Sequence, residues 1–504
     1  MMKRFLLVLG AALAVCCCAP RTTLCVNPLT YTDIPDNDVI RVGEDYYMVS
    51  TTMYFCPGAP IMHSRDLVHW RIVSYVYDCL EDDDVYNLRN GRNAYGKGQW
   101  ATSLKYHDGE YYALFIANDQ GKTYVYHTAD ICSSYWDRYV IDRPFHDAGL
   151  LFEDGHVYVA WGNRNIYLTE LEPDFSGVRG EDRLIFSTPE GYMLGDEGSH
   201  FYHIGDWYYV LTINWPFGGV RTETCWRSST IEGPYEPRTI LQGAFDGRGD
   251  GVAQGAIVDT PRGDWYAVMF QDHGAVGRIP TLQPLTWEDG WPVLGDAGMP
   301  VKEFEVLLPE YGEDRVWASD EFDSSELDLV WQWNHKPLDG GWSLSERPGW
   351  MRIRANSATG IFDARNVLTQ RTVGPACESV AKLDVSGLCE GDHAGICAFQ
   401  SHFCAVEVEC AADGKFLVAR DYEKEILRTG LESDQLYLRI NYDFSDDTAA
   451  MSFSYDGENW NSIDYSLKMR YTLDFFTGYR TALYCYSTGA PGGCADFDWF
   501  HQTV

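Results

Sequence analysis

Positive charge is scarce in this chain. Its 39 Lys and Arg stand against 74 Asp and Glu, for a net charge of −35. A surface of that sign repels phosphate, so nucleic acid is excluded as a partner. Long helical periodicity is absent. Beyond the N-terminal twenty residues, no apolar run is long enough to span a membrane as a helix. Cysteine is present, 15 in all, but no short Cys-x-x-Cys pair offers the spacing of a zinc site. A chain of 504 residues also buries enough core to need no disulfide staples. Most cysteines therefore read as buried thiols. The run Cys377, Cys389, Cys397, Cys404 and Cys410 leaves room for one or two disulfides.

Residues 1–24 read as a signal peptide, and with it the protein is expected to be exported to the periplasm, the outer membrane or the cell surface. Lys3 and Arg4 precede the apolar run FLLVLGAALAV, too short for a stable membrane span. Leu13-Ala14-Val15-Cys16 resembles a bacterial lipoprotein cleavage box, although Val15 departs from the usual small residue. A lipid anchor at Cys16 is then the one expected tie to a membrane.

What the sequence does contain is repetition. Five times a short apolar strand meets a turn ending in Gly-x-x-Tyr, and an aromatic-rich strand follows. The glycines are Gly43, Gly109, Gly155, Gly205 and Gly263. β-Branched and aromatic residues on both arms make each copy a hairpin. Copies about 45–65 residues apart suit one β-propeller blade each. Seven to nine residues before each glycine, the head of the first strand carries Asp36, Trp100, Asp147, Glu197 or Gln254. Equivalent positions of a propeller gather around one axis. Three carboxyl groups, an indole and an amide are therefore expected in one pocket.

The repeats fill residues 25–300. Residues 301–318 lack the pattern and, with Pro309 as punctuation, read as a linker. From 319 to 504 the strands alternate at period two between close turns, as in WMRIRA, KFLVARD and LYLRINYDF, which is the pattern of a β-sandwich. The expected fold is all-β, a five-bladed propeller followed by a sandwich. The linker's apolar Phe304, Val306, Leu307 and Leu308 should pack it against both domains, so that the sandwich shapes the pocket.

Clustered carboxyls cannot all ionise comfortably, so one is pushed to hold its proton and another stays charged. The protonated one can donate to a leaving oxygen and the ionised one can activate water, as glycosidic hydrolysis requires. A divalent metal site is the rival reading of three carboxylates; Trp100 and Gln254 in the same ring favour a sugar pocket. Asp33 and Asp38 are rivals to Asp36 within one turn. Trp100, Trp215 and Phe55 are candidate sugar platforms, whereas Trp70, Trp265, Trp287 and Trp291 read as core.

PDND before VIRVGEDYYMVSTT, then SRDLVHW, QWATSLKYHDGEYY, HDAGLLFEDG, EGSHFYHIGDWYY and GRIP…WEDGWPVLG resemble glycoside hydrolase family 43. WQWNH, WSLSERPGW and the DFDWF tail resemble the concanavalin-like sandwich attached to its β-xylosidase branch. The resemblance implies an exo-acting, inverting enzyme that removes terminal α-L-arabinofuranose or β-D-xylose from plant cell-wall polysaccharide or its fragments, with no required cofactor. It implies Asp36 as general base, Glu197 as general acid, Asp147 as the residue that orients and tunes the acid, and Arg278 as a substrate-binding arginine. Two departures stand out. Asn37 follows the base where many members have Pro. Gln254 stands where many carry a His near an axial metal ion, with His273 as a candidate replacement, which leaves a structural calcium open. An arabinan-cleaving hydrolase and a non-catalytic carbohydrate-binding lipoprotein are the alternative readings.

Overall fold

The computed structural model describes residues 21–504, so most of the expected signal peptide, with the expected anchor at Cys16, lies outside the described residues. Twenty of the strands form five four-stranded antiparallel sheets, one per repeat. Each runs in chain order from an inner strand to an outer one. Blade 2, for example, is Gln99–His107, Glu110–Ala117, Lys122–Thr128 and Asp137–Ile141. The Gly-x-x-Tyr glycines sit at the turns between first and second strands with positive φ, 63° to 89°, a conformation that glycine adopts without penalty. The remaining chain forms a nine-stranded and a seven-stranded sheet packed as a sandwich. Among the described residues the only helix is the one-turn Gly274–Val276.

The propeller is closed by a clip outside its blades. Thr23–Val26 pairs antiparallel with Glu303–Val306. Next to it, the buried Asn27 side chain donates to Leu282 O (2.7 Å) and Val301 O (2.8 Å) and accepts from Leu282 N (2.8 Å). One amide thus ties the start of blade 1 to the last blade and to the segment leaving it. That segment is no loose tether. Val306, Leu308 and Val316 are buried in a core cluster with Trp70, and Ala318 N bonds Gln370 Oε1 of the sandwich.

The two domains share one hydrophobic core. Within blade 1 the chain detours through Phe55–Cys56, which adds an edge strand to the nine-stranded sheet by pairing with Trp333 and Asn334. This detour explains why Phe55 is not a sugar platform: it is 1% exposed and lies under the Arg480 guanidinium, 3.7 Å from its ring centre. The cysteine cluster also differs from expectation. All twelve described cysteines are free. Cys397 and Cys404 face neighbouring backbone partners, Ala405 and Ala398, instead of each other, and burial pushes their thiols up, which keeps them unreactive.

Replacing Asn27 with Ala orphans a buried N–H and two carbonyls, so it should cost at least ~2 kcal/mol. Because the core is shared, chemical denaturation followed by tryptophan fluorescence should show one transition for both domains, moved to lower denaturant. An unchanged midpoint would show that the clip carries no stability.

Candidate active site

Every blade has one left-handed residue in or just before its first strand. Asp36, Gly98, Asp147, Gly198 and Gln254 each have φ between 48° and 85°, the left-handed region. Three of the five are not glycine, and such residues carry strain of ~1 kcal/mol or more each. In Gly195-Asp196-Glu197-Gly198, Asp196 turns into the blade and accepts from Thr188 Oγ1 (2.6 Å), Thr212 Oγ1 (2.8 Å), Asn214 Nδ2 (3.1 Å) and Trp226 Nε1 (3.2 Å). That anchor leaves its neighbour Glu197 for the pocket.

Two charged groups face each other across the axis mouth. On one side Arg278 Nη1 donates to Asp36 Oδ1 at 2.8 Å. The Arg278 guanidinium is buried between Phe270 and Phe476, 5.5 and 4.6 Å from their ring centres. Its Nε and Nη2 have no protein partner, and neither does the buried Nε1 of Trp100. On the other side stand His146, Asp147 and Glu197, with ligand atoms all within 4.8 Å of one another. His146 Nε2 is 3.3 Å from Glu197 Oε2 and 3.7 Å from Asp147 Oδ2. Asn163 Nδ2 also donates to Glu197, and Gly198 N donates to Asp147 Oδ2 at 3.2 Å.

Electrostatics couples these groups. Burial pushes the Asp147 carboxyl up to about 6; the His146 cation and the Gly198 N–H oppose the rise, and the charges of Glu197 and Asp36 add to it. His146 is driven up to about 9, first by the Asp147 carboxylate, against burial, with Glu197 and Asp36 adding. Near neutrality the site therefore holds one imidazolium between two carboxyl groups.

The remaining predicted residues divide. Trp100 lines the pocket, edge-on to His146 (6.0 Å) and Phe476 (5.6 Å). Gln254 lies against Gly198, where an added Cβ would stand 2.7 Å from its amide carbon. Beneath it Glu223 Oε2 accepts from Gln254 N at 2.7 Å. Trp215 is on the rim, under Arg221 (4.8 Å), which pairs with Asp272. His273 is 3% exposed; it packs on Tyr31 and faces Asp246 at 4.0 Å, and among the described residues no hydrogen bond or ion pair joins it to the three carboxylates. Of the rivals to Asp36, Asp33 is buried in the domain seam and Asp38 in the axis, where it accepts from Leu104 N (2.7 Å).

Four neighbours escaped the sequence reading. His146 adjoins Asp147 and Asn163 ends the second strand of blade 3, signals visible only once the hairpin is built. Tyr471 and Phe476 come from the sandwich, 6.2 Å apart; the aromatic run around LDFFTGY was their one trace.

Comparison with known proteins agrees with this geometry. The family model for glycosyl hydrolases family 43 matches residues 25–292, and that for the beta xylosidase C-terminal concanavalin A-like domain matches 319–503. The chain is 28% identical to a beta-xylosidase of Formosa agariphila, over 94% of this chain and 89% of that one. It is 27% identical to a non-reducing end alpha-L-arabinofuranosidase of Bacteroides ovatus, over 94% of each. A solved bifunctional GH43-CE protein of Bacteroides eggerthii superposes with a TM-score of 0.91 at 42% identity; the match covers 96% of this chain and 64% of that longer one. A propeller-borne carboxylate site, a sandwich in the same order and matches along nearly the whole length place the chain in family 43 of the glycosyl hydrolases.

Proposed function

We propose that the protein removes terminal α-L-arabinofuranosyl or β-D-xylosyl residues from plant cell-wall polysaccharide or its fragments by a single, inverting displacement. One observation carries the reading: Asp36, clamped by Arg278, faces the His146–Asp147–Glu197 cluster across a pocket walled by Trp100 and Phe476. Arg278 occupies one oxygen of Asp36, so the other can take the proton of an attacking water. Glu197 protonates the departing oxygen. His146 and Asn163 hold the acid in place, and Asp147 stands beside them. The unpartnered Arg278 Nη2 and Trp100 Nε1 are donors for sugar hydroxyls. Tyr471 and Phe476 close one side of the pocket, which suits attack at a chain end. Relatives named for xylose and for arabinofuranose both match over most of their length, and both sugars present similar hydroxyl patterns.

No cofactor takes part in this chemistry. Away from the reacting groups, Asn37 Oδ1 and Asp38 Oδ1 are buried without partners, and His200 Nε2 is 3.8 Å from the latter. Oxygens of that kind suit a hydrated calcium ion that braces the axis. The N-terminal signal supports an exported, lipid-anchored protein acting where such polymers arrive.

The carboxyl roles are separable. In Glu197→Ala, turnover of natural glycosides should fall by roughly 10²–10⁴. Activated aryl glycosides, whose leaving groups need little protonation, should lose much less. Equal losses on both would remove Glu197 from the acid role. Asp36→Asn should abolish hydrolysis of both kinds, and proton NMR of the wild-type reaction should show the inverted anomer first; a retained first product would overturn the single displacement.

The charge coupling has its own readout. The His146 imidazole should titrate near pH 9 by NMR. Removing the neighbouring anion in Asp147→Asn destabilises the imidazolium, so the midpoint should move down toward the ordinary histidine value, and the basic limb of the pH–rate profile should move to lower pH with it. An unmoved His146 midpoint would mean that Asp147 does not carry the charge assigned to it.

A further inference from the structure

A cavity lies in the sandwich, apart from the catalytic centre. It has a volume of about 630 Å³ and opens where the propeller loop around Arg92 meets the nine-stranded sheet. Its floor is polar and fixed. Glu407, 1% exposed, accepts from Tyr484 OH (2.6 Å) and Arg420 Nε (2.6 Å), with His393 Nδ1 at 3.3 Å. Burial alone would push the Glu407 carboxyl up, but His393 and Arg420 outweigh it and hold the group down to about 2. Its walls are aromatic. Tyr422 is 39% exposed, Phe362 is half-buried 5.9 Å from it, and Tyr486 stacks on His393 at 5.0 Å. The loop 359–363 that carries Phe362 is pinned by Asp363, which accepts from Thr359 N and Gly360 N at 3.0 and 2.9 Å.

A buried, hydrogen-bonded charge cluster contributes little to stability compared with apolar packing. The catalytic groups do not touch it. Fixed polar groups beneath an exposed ring are instead the means of holding a polyol: hydroxyls meet carboxylate and guanidinium, and the C–H face of a sugar lies on the aromatic. The location narrows the occupant. Phe362 packs edge-on to Phe475 at 5.3 Å, and Phe475 stacks on Tyr95 of the propeller at 4.1 Å. The next residue is Phe476, the wall of the catalytic pocket. The cavity and the catalytic pocket are thus two sides of one aromatic partition.

We infer that this cavity is a second, non-hydrolytic carbohydrate site, which grips a distant stretch of the same polysaccharide whose chain end enters the catalytic pocket. The inference rests on the function proposed above for its choice of sugar. Tyr422 supplies the stacking face, the partly buried Arg420, fixed from below by Glu407, supplies hydrogen bonds, and Arg92 closes the rim from the propeller side.

The test uses the full chain and two substitutions at exposed positions, Tyr422→Ala and Arg92→Ala, with soluble arabinoxylan as the probe. Affinity electrophoresis in gels containing the polymer should show retention of the wild type and a roughly tenfold weaker dissociation constant for Tyr422→Ala, with a smaller loss for Arg92→Ala. Turnover of an aryl pentoside, too short to reach the cavity, should be unchanged in both. Retention equal to wild type in both variants, or no retention of the wild type, overturns the second site, as does a parallel loss of aryl pentoside turnover. Failure of the functional reading looks different: the wild type would then leave every aryl pentoside intact, while Tyr422-dependent retention on the polymer would still support the site.

Discussion

The whole site hangs on one buried carboxylate that takes no part in the chemistry. Asp33 accepts from the backbone N–H of Arg278 (2.8 Å) and of Gly478 (2.9 Å), while its own carbonyl accepts from Arg371 Nε (3.0 Å). Three residues after it comes Asp36. Arg278 is the partner of Asp36, and Gly478 follows two residues after Phe476. A single side chain thereby sets the relative positions of the base, its guanidinium and the aromatic wall, although they come from the first blade, the last blade and the sandwich. Burial pushes Asp33 up, while Arg278 and the two N–H groups pull against that rise. Such a group is stable only if its partners stay in place, so the seam between the domains and the geometry of the pocket are one constraint.

The propeller supplies the complementary part. Five left-handed residues, one per blade, stand in or just before the inner strands. Non-glycine residues in that conformation persist where the surroundings over-determine them: Asp36 by Arg278, Asp147 by Gly198 N, Gln254 by Glu223. Left-handed backbone and charge meet at the same ring. The sandwich then does two jobs with its two faces. It seals the domain seam with Arg371, Arg480 and the captured strand Phe55–Cys56, and it carries the second cavity on the far side of Phe475.

Much of this was legible in the chain. Periodic Gly-x-x-Tyr hairpins reveal blades because the turn demands positive φ at one place, and a fixed count back from that turn finds Asp36, Trp100, Asp147, Glu197 and Gln254. The same counting cannot reveal His146 or Asn163, whose part depends on which way a neighbouring side chain leaves its strand. Nor can it separate Phe55 from Trp100. Both are aromatics near a blade mouth, and only the pairing of Phe55–Cys56 with Trp333 and Asn334 buries one of them. The role of Asp33 was hidden for a similar reason: its partners lie 245 and 445 residues away in sequence.

The most direct measurement is kcat/KM of Asp33→Asn on an aryl arabinofuranoside or xyloside, taken on protein whose circular dichroism matches the wild type. Asparagine keeps the shape but turns an amide N–H₂ toward donors, so one of the two backbone N–H groups loses its acceptor. If Asp33 positions the base, Arg278 and the aromatic wall together, kcat/KM should fall by at least about tenfold through misplacement alone. A folded Asp33→Asn enzyme with wild-type kcat/KM would contradict the account, because the pocket would then be set by the propeller without the seam.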